Sequence, residues 1–231
     1  MITWSGYEWL TQERWGQIHP DKSVCWYDPS SVNVDEQGHL HLLTKYNPKY
    51  FPELKQTAPV GVGLVSCTKK FGHGYFEIVA KLPSGPNLWP AFWMWSWDSW
   101  PPEIDVFEGY TNKNGSYWTW NPFKPWNVQT NIHYLTNNAV GRDSIGGKAH
   151  WWGYKNPTKN FIKYAVEWTP TQIRFVYDDL VVRCFTDQSI LEQFNKTTMN
   201  VIINNSVDND VSQVFPPVSD MIVKSFTYKP I

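Results

Sequence analysis

Three carboxylic acids lie within the ten residues PPEIDVFEGY, at Glu103, Asp105 and Glu108. The apolar residues between them predict a buried β-strand, on which side chains alternate between two faces. Regular alternation places Glu103 and Asp105 on one face and Glu108 on the other. Carboxyl groups act as a catalytic pair when one is ionised and the other holds a proton, so the offset of Glu108 decides whether these acids can work together.

A β-bulge at Val106 or Phe107 would return Glu108 to the face of the other two acids. The two glutamates would then be four strand positions apart, about 13 Å at the backbone. Since each side chain can lean inward by about 4 Å, roughly 5 Å would separate the carboxyl groups, near the spacing of about 5–5.5 Å in retaining glycosidases. Such a pair provides one nucleophile and one proton donor, with Asp105 between them to orient the nucleophile. The spacing alone does not say which glutamate has which role.

Tryptophan is concentrated around these acids. The chain has 15 Trp and 17% aromatic residues, more than a core of this size needs, so several indoles are expected on a surface where they can stack on sugar rings. Core packing is the alternative role for each Trp, and a structural role is the alternative for the histidine. The predicted substrate-binding residues are Trp89, Trp93, Trp100, Trp118, Trp120, Trp126 and His133.

The composition limits the class of protein. The chain has 231 residues with 42% hydrophobic and 18% charged residues, which is typical of a globular protein, and we expect a single domain over residues 1–231. A net charge of -1 predicts no nucleic-acid or membrane partner. The first residues have neither the basic nor the apolar region of a signal peptide, so none is expected in this chain. We also expect a monomer.

Three cysteines without metal-ligand spacing, Cys25, Cys67 and Cys184, argue against a zinc or iron–sulfur site. One disulfide is compatible with this number. We expect no metal at the site and no required cofactor. A structural calcium ion would be compatible with the chain, but no pattern in the sequence indicates one.

The chain is predicted to be all-β. Ten short segments rich in β-branched and aromatic residues are bounded by turn residues, and this number predicts a sandwich or barrel. Their ranges are 39–46, 75–82, 91–97, 103–108, 129–134, 163–168, 172–177, 180–185, 200–205 and 221–228. A two-residue turn at Asp178 and Asp179 predicts a hairpin. Residues 186–194 have helical spacing, and long loops are expected at 47–60, 111–127 and 137–160.

These motifs together resemble glycoside hydrolase family 16. The pattern Glu-x-Asp-x-x-Glu at residues 103–108 is similar to the bulged motif of its laminarinase, agarase and carrageenase branches. The preceding segment KFGHGYFEIVAKLPSGPNLWPAFWMW, the strand QTNIHY, the hairpin FIKYAVEWTPTQIRFVYDDLVVR and the final MIVKSFTYKP resemble the family in the same order. The chain departs from the family at His73, at Val79, where the family often has a sugar-contacting Arg, and at INNSVDND, which affects Asn204 and Asn205.

The resemblance implies a β-jelly roll of two stacked antiparallel sheets, with the substrate crossing the concave sheet. It also implies Glu103 as the nucleophile, Glu108 as the acid/base and Asp105 as the assisting acid. His133 is matched to a cleft histidine of the family.

The function expected from these features is that of an endo-acting retaining glycoside hydrolase that cleaves β-linkages in an extracellular polysaccharide. The substrate classes are a β-1,3-glucan of laminarin type, a β-galactan such as agar, porphyran or carrageenan, and a bacterial exopolysaccharide. Few basic residues lie near the acids, only Lys113 and Lys124, which favours a neutral polymer over a sulfated one. The alternatives are a catalytically silent carbohydrate-binding module with the same fold, and a transglycosylase that uses the same residues.

Overall fold

The computed structural model describes residues 1–19, 24–111, 117, 126–135, 142–144, 149–208 and 218–231, with backbone only for 142–144 and 149–152. The elements in chain order are β1 (Ile2–Trp4), β2 (Tyr7–Leu10), β3 (Cys25–Tyr27), a 3-10 turn (Pro29–Ser31), β4 (Val32–Val34), β5 (Leu40–Phe51), β6 (Gln56–Val62), β7 (Leu64–Cys67), β8 (Gly74–Lys81), β9 (Leu88–Trp95), β10 (Glu103–Glu108), β11 (Trp126–Leu135), β12 (Arg142–Ser144), β13 (Ala149–Gly153), β14 (Ile162–Trp168), β15 (Ile173–Tyr177), β16 (Leu180–Phe185), α1 (Gln188–Asn195), β17 (Asn200–Val207) and β18 (Val218–Pro230).

The strands form two sheets. The first has the order β1-β2-β7-β17-β9-β10-β11-β12, with β13 also paired to β11. The second has the order β16-β15-β14-β8-β18-β5-β6-β3, with β4 paired to β5. This arrangement confirms the predicted all-β sandwich. Pairing is antiparallel throughout the described strands except between β3 and β6, which run parallel and so depart from the prediction of purely antiparallel sheets.

The ten predicted strands are all present, with ends shifted by a few residues. The hairpin of β15 and β16 turns at Asp178 and Asp179, whose φ angles of 45° and 68° are those of a two-residue hairpin turn. The predicted helix is α1, which begins after Asp187, whose side chain accepts a hydrogen bond from the amide of Ser189. No helix among these described segments is long and apolar enough to cross a membrane.

The loop predicted at 47–60 is wrong, because β5 and β6 continue through most of it as a long hairpin with Phe51 opposite Gln56. The loop predicted at 137–160 contains β12 and β13, which pair with β11. Of the loop predicted at 111–127, residues 112–116 and 118–125 lie outside the described residues, and β11 already begins at Trp126.

The main core lies between the two sheets. It joins residues such as Met94 and Ile104 of the first sheet to Phe76 and Ile78 of the second, all fully buried. Side chains on the outer face of the first sheet, among them Trp95, form a second cluster with Cys25 and Tyr27 of β3 and with residues of β6. The end of the second sheet therefore packs against the outer face of the first, the face that bears the acids.

Candidate active site

The acidic strand β10 carries a β-bulge. Asp105 and Glu108 are three residues apart, but the residues that they face on β9 and on β11 are two apart. Against β9 the register shifts between Asp105 and Phe107, so Val106 is the extra residue. Because one extra residue restores the parity of the strand, all three acids, Glu103 included, lie on the same face. This confirms the predicted bulge.

The bulge is held from the second sheet. Val106 has no partner residue on β9 or β11, and its carbonyl oxygen accepts a hydrogen bond of 2.5 Å from the buried hydroxyl of Tyr177 on β15. The next residue, Phe107, is fully buried and its ring centroid lies 4.5 Å from that of Tyr164 on β14. The core between the sheets thus satisfies the backbone group that the bulge leaves unpaired.

Glu103 lies beneath the indole of Trp100. The Trp100 Nε1–H donates to Glu103 Oε2, and His133 Nε2 lies 4.0 Å from Glu103 Oε1. Burial raises the pKa of Glu103 well above its ordinary value, and the charge of Asp105 raises it further, whereas His133 and the indole act in the opposite direction. Glu103 and Asp105 are therefore close enough to compete for one proton.

His133 faces the acids from the neighbouring strand. It is paired with Glu103 across the sheet, and its Nε2 lies 3.1 Å from Asp105 Oδ2 and 3.2 Å from Asn131 Nδ2. The imidazole is tilted against Trp100 with 5.7 Å between ring centroids. These contacts join His133 to Asp105 in the same network as Glu103.

Glu108 has a separate set of partners. Its Oε1 accepts hydrogen bonds of 3.2 Å from Trp89 Nε1 and of 2.9 Å from the hydroxyl of Tyr110. The rings of Trp89 and Tyr110 stack with 5.1 Å between centroids. Burial and the charge of Glu108 raise the pKa of Tyr110, so this hydroxyl stays a donor. Tyr110 was not among the predicted residues, although its position two residues after Glu108 is a signal that could have found it.

The acids open into a cavity of about 450 Å³. Its floor includes Trp89 and Trp93 of β9 with Ala91 between them, which leaves a recess beside Glu108. Trp93 Nε1 donates to Asn204 Oδ1 at 2.7 Å, and Asn204 Nδ2 donates to the carbonyl of Trp89 at 3.2 Å. Asn204 therefore fixes the indole of Trp93 at the edge of the cavity.

One wall of the cavity comes from the first 27 residues and was missed by the sequence analysis. Trp15 and His19 line it together with Cys25 and Tyr27 of β3. No local spacing connects these residues with acids more than 70 positions later, so only the folding of the chain reveals them.

The predicted binding residues are placed as follows. Trp89, Trp93 and Trp100 line the cavity, and His133 contacts the acids. Trp126, at the start of β11, is half-buried and packs against the main core, and it is not among the residues that line the cavity. Trp118 and Trp120 lie outside the described residues.

The positions at which the chain departs from the family lie partly in the cavity and partly away from it. Val79 lies in β8 of the second sheet, where it pairs with Lys163 and cannot reach the cavity. Asn205 is buried, and its side chain donates to the carbonyls of Leu42 and Ser219. Of the segment INNSVDND, Asn204, Ser206 and Val207 line the cavity.

Within the described residues, one group has the geometry to hold a metal ion. Ligand atoms of Glu103, Asp105 and His133 lie within 4.8 Å of one another. The histidine nitrogen already lies against the Asp105 carboxylate, and these groups are partnered without an ion. We assign no metal to the site, and the expected absence of a metal stays a prediction.

Comparisons with known proteins agree with this geometry. The profile of the family described as Glycosyl hydrolases family 16 matches residues 21–213. A beta-glucanase of Rhodothermus marinus is 32% identical over 165 residues, covering 67% of this chain and 51% of the relative. An endo-1,3-1,4-beta-glycanase of Rhizobium meliloti is 32% identical over 111 residues, covering 48% of this chain and 20% of the relative. The chain thus spans about half of the one and a fifth of the other.

A solved structure shares the fold. The laminarinase catalytic domain of Thermotoga maritima superposes with a TM-score of 0.70 at 17% identity, covering 90% of this chain and 84% of that one. The sandwich therefore has the fold of that laminarinase catalytic domain. With the family profile matched over most of its length and the bulged acidic strand in place, the chain belongs to glycosyl hydrolases family 16.

Proposed function

We propose that the protein is an endo-acting retaining glycoside hydrolase that cleaves β-linkages of a neutral polysaccharide of the β-glucan class. The observation that carries the proposal is the bulge in β10, which puts Glu103, Asp105 and Glu108 on one face inside a cavity walled by indoles. A pure binding module has no use for two buried glutamates with separate sets of hydrogen-bond donors.

Glu103 is assigned as the nucleophile. As a carboxylate it attacks the anomeric carbon and forms a glycosyl ester, and the aglycone oxygen departs with the bonding electron pair. Its charge is supported by the Trp100 N–H, and Glu103 and Asp105 share one proton as a coupled pair. Burial disfavours the Glu103 carboxylate in the free enzyme. In the transition state the positive charge that develops on the sugar stabilises this carboxylate.

Glu108 is assigned as the acid/base. Both of its donors, Trp89 and Tyr110, bind Oε1, so the transferable proton is held on Oε2, which has the free lone pairs. That proton goes to the leaving oxygen in the first step. In the second step the Glu108 carboxylate takes a proton from the attacking water, and the ester to Glu103 is cleaved.

The lining of the cavity supports a neutral substrate. Among the described residues that line it there is no Lys or Arg, the side chains that would pair with sulfate groups. The names of the relatives, beta-glucanase and endo-1,3-1,4-beta-glycanase, point in the same direction.

The test compares the protein with its Glu103→Gln variant on laminarin, lichenan, agarose, porphyran and carrageenan, following new reducing ends and product size. We expect a rapid fall in the size of laminarin or lichenan with the wild type and none with the variant. NMR of the first product should show the β-anomer, because two inversions retain configuration. Equal activity of both proteins would refute the assignment. Binding without cleavage would favour the module, and products longer than the substrate would favour transglycosylation.

A further inference from the structure

The segment of residues 11–19, here called the N-terminal arm, contributes Trp15 and His19 to the wall of the cavity. The ring of Trp15 lies against Trp95 with 5.4 Å between centroids, and Trp95 is the cross-strand partner of Glu103. His19 packs edge-on against Trp15 at 5.2 Å. The position of the Trp15 ring therefore sets the width of the cavity on this side.

The arm contains an acid that nothing in the proposed reaction uses. Glu13 is fully buried, its Oε2 accepts a single hydrogen bond of 3.3 Å from the amide of Arg14, and its Oε1 has no hydrogen-bond partner among the described residues. A carboxylate in such surroundings would be a charge that is removed from water and poorly compensated. Glu13 is therefore a neutral acid in the folded protein.

Among the described residues, no side chain forms an ion pair with Glu13. Glu103 on β10 raises the pKa of Glu13, and Tyr27 on β3 is a neutral phenol because burial raises its pKa well above the ordinary value. The hydrogen bond from the Arg14 amide and the charge of Arg14 lower the pKa of Glu13, and both effects are smaller than that of burial. Together these influences bring the pKa of Glu13 to about 8, with burial as the largest cause.

Glu13 is joined directly to the wall of the cavity. The amide of Gly16 donates to the carbonyl of Glu13 at 3.0 Å, which closes a tight turn around Trp15. Beyond the turn the arm is fixed, because Gln17 accepts from the amide of Tyr27 at 2.7 Å and Ile18 is buried. An ionised Glu13 that moved out to water would therefore carry the turn and its indole away from Trp95.

We infer that Glu13 is a positioning residue for substrate binding: as a neutral acid it holds the arm and Trp15 against the cavity, and loss of its proton to solvent at alkaline pH releases that wall. This inference rests on the proposed function for its effect on substrate. Its effect on the folded state is independent of any activity, and the two are tested separately.

The first test needs no substrate. Urea unfolding is measured between pH 5 and 9 for the wild type, for Glu13→Gln and for Glu8→Gln, a control at an exposed glutamate of β2. The pKa of Glu13 is 4.5 in the unfolded chain and about 8 in the folded protein. Between these two pH values the folded protein holds a proton on Glu13 that the unfolded chain has released, so wild-type stability should fall as pH rises. Glu13→Gln should lose the part of that fall that Glu13 contributes, Glu103 should contribute its own part in all three proteins, and Glu8→Gln should keep the full wild-type fall.

Parallel profiles for the wild type and Glu13→Gln would overturn the inference. If Glu13→Gln does not fold, Glu13→Met, which is neutral and of similar volume, takes its place in the same comparison.

The second test measures KM and kcat from pH 7 to 10 on a polymer that the wild type cleaves. Above pH 8 the neutral fraction of Glu13 falls by up to about tenfold per pH unit, so the wild-type KM should rise by up to that factor, with a smaller change in kcat. The KM of Glu13→Gln should stay flat. A parallel rise of KM in the wild type and in Glu13→Gln would overturn the role of the arm. Cleavage of no polymer would count against the proposed function, while the unfolding comparison would still decide the proton on Glu13.

Discussion

The hydroxyl of Tyr177 should contribute measurably to the stability of this protein, because it donates a hydrogen bond to the backbone carbonyl at the bulge. In Tyr177→Phe the Val106 carbonyl loses its donor, and this carbonyl is buried and lies at the position that has no partner on either neighbouring strand. A buried acceptor left without a hydrogen bond costs about 1–3 kcal/mol. With a urea dependence of about 2 kcal/mol/M, typical for a protein of this size, the midpoint of unfolding should fall by about 0.5–1.5 M.

The neighbouring Tyr164 provides a matched control. Its ring is also fully buried and lies 5.0 Å from that of Tyr177, but its hydroxyl has no hydrogen-bond partner among the described residues. Tyr164→Phe removes the same atom from the same part of the core, so its stability should change by less than about 0.5 kcal/mol or increase. Equal loss of stability in the two variants would refute the view that the core holds the bulge through the Val106 carbonyl.

Three further predictions concern the acids and the cavity. Glu108→Gln should lower kcat on polymer by about 10²–10⁴-fold, with a smaller loss on an aryl glycoside whose leaving group needs no proton; equal losses on both would argue against a proton donor. Because burial and, after it, the charge of Asp105 raise the pKa of Glu103, and because the nucleophile must be ionised, activity should fall at acidic pH from an unusually high midpoint. Asp105→Asn should move that acidic limb to lower pH in a profile of kcat/KM, and an unmoved limb would contradict this coupling. Asn204→Ala removes the acceptor for Trp93 Nε1, so KM should rise by about 5- to 30-fold, equivalent to about 1–2 kcal/mol, and an unchanged KM would remove Trp93 from substrate binding.

Much of the fold follows from patterns within short segments. Strands such as β10 and β16 were predicted at their observed bounds, since period-two alternation and flanking turn residues are local properties. The loop prediction at 47–60 failed because the Asn and Pro residues in that segment are tolerated in the long hairpin of β5 and β6. The short strands β1 to β4 were missed because three or four residues carry too little periodicity to be recognised.

The candidate site was predicted in part. Trp89, Trp93 and Trp100 could be inferred because they precede the acids closely in the chain and share a strand or its extension. Trp126 was assigned to sugar binding because it follows the acids, but it packs against the core, since its parity on β11 turns the indole inward. Proximity in sequence does not report which face of a strand a side chain occupies.

The sequence by itself determined that the acidic strand must be irregular if its acids are to act together, because strand parity separates Glu108 from Glu103 and one extra residue reunites them. It also determined which chemistry such a trio can perform. The tertiary structure decided what sequence spacing does not contain: the Tyr177 hydroxyl that satisfies the bulge and the N-terminal arm that walls the cavity. The tertiary structure also decided the protonation state of the carboxyl groups. Burial and neighbouring charges set the pKa values of Glu13 and Glu103, and these two influences arise only when distant parts of the chain pack together.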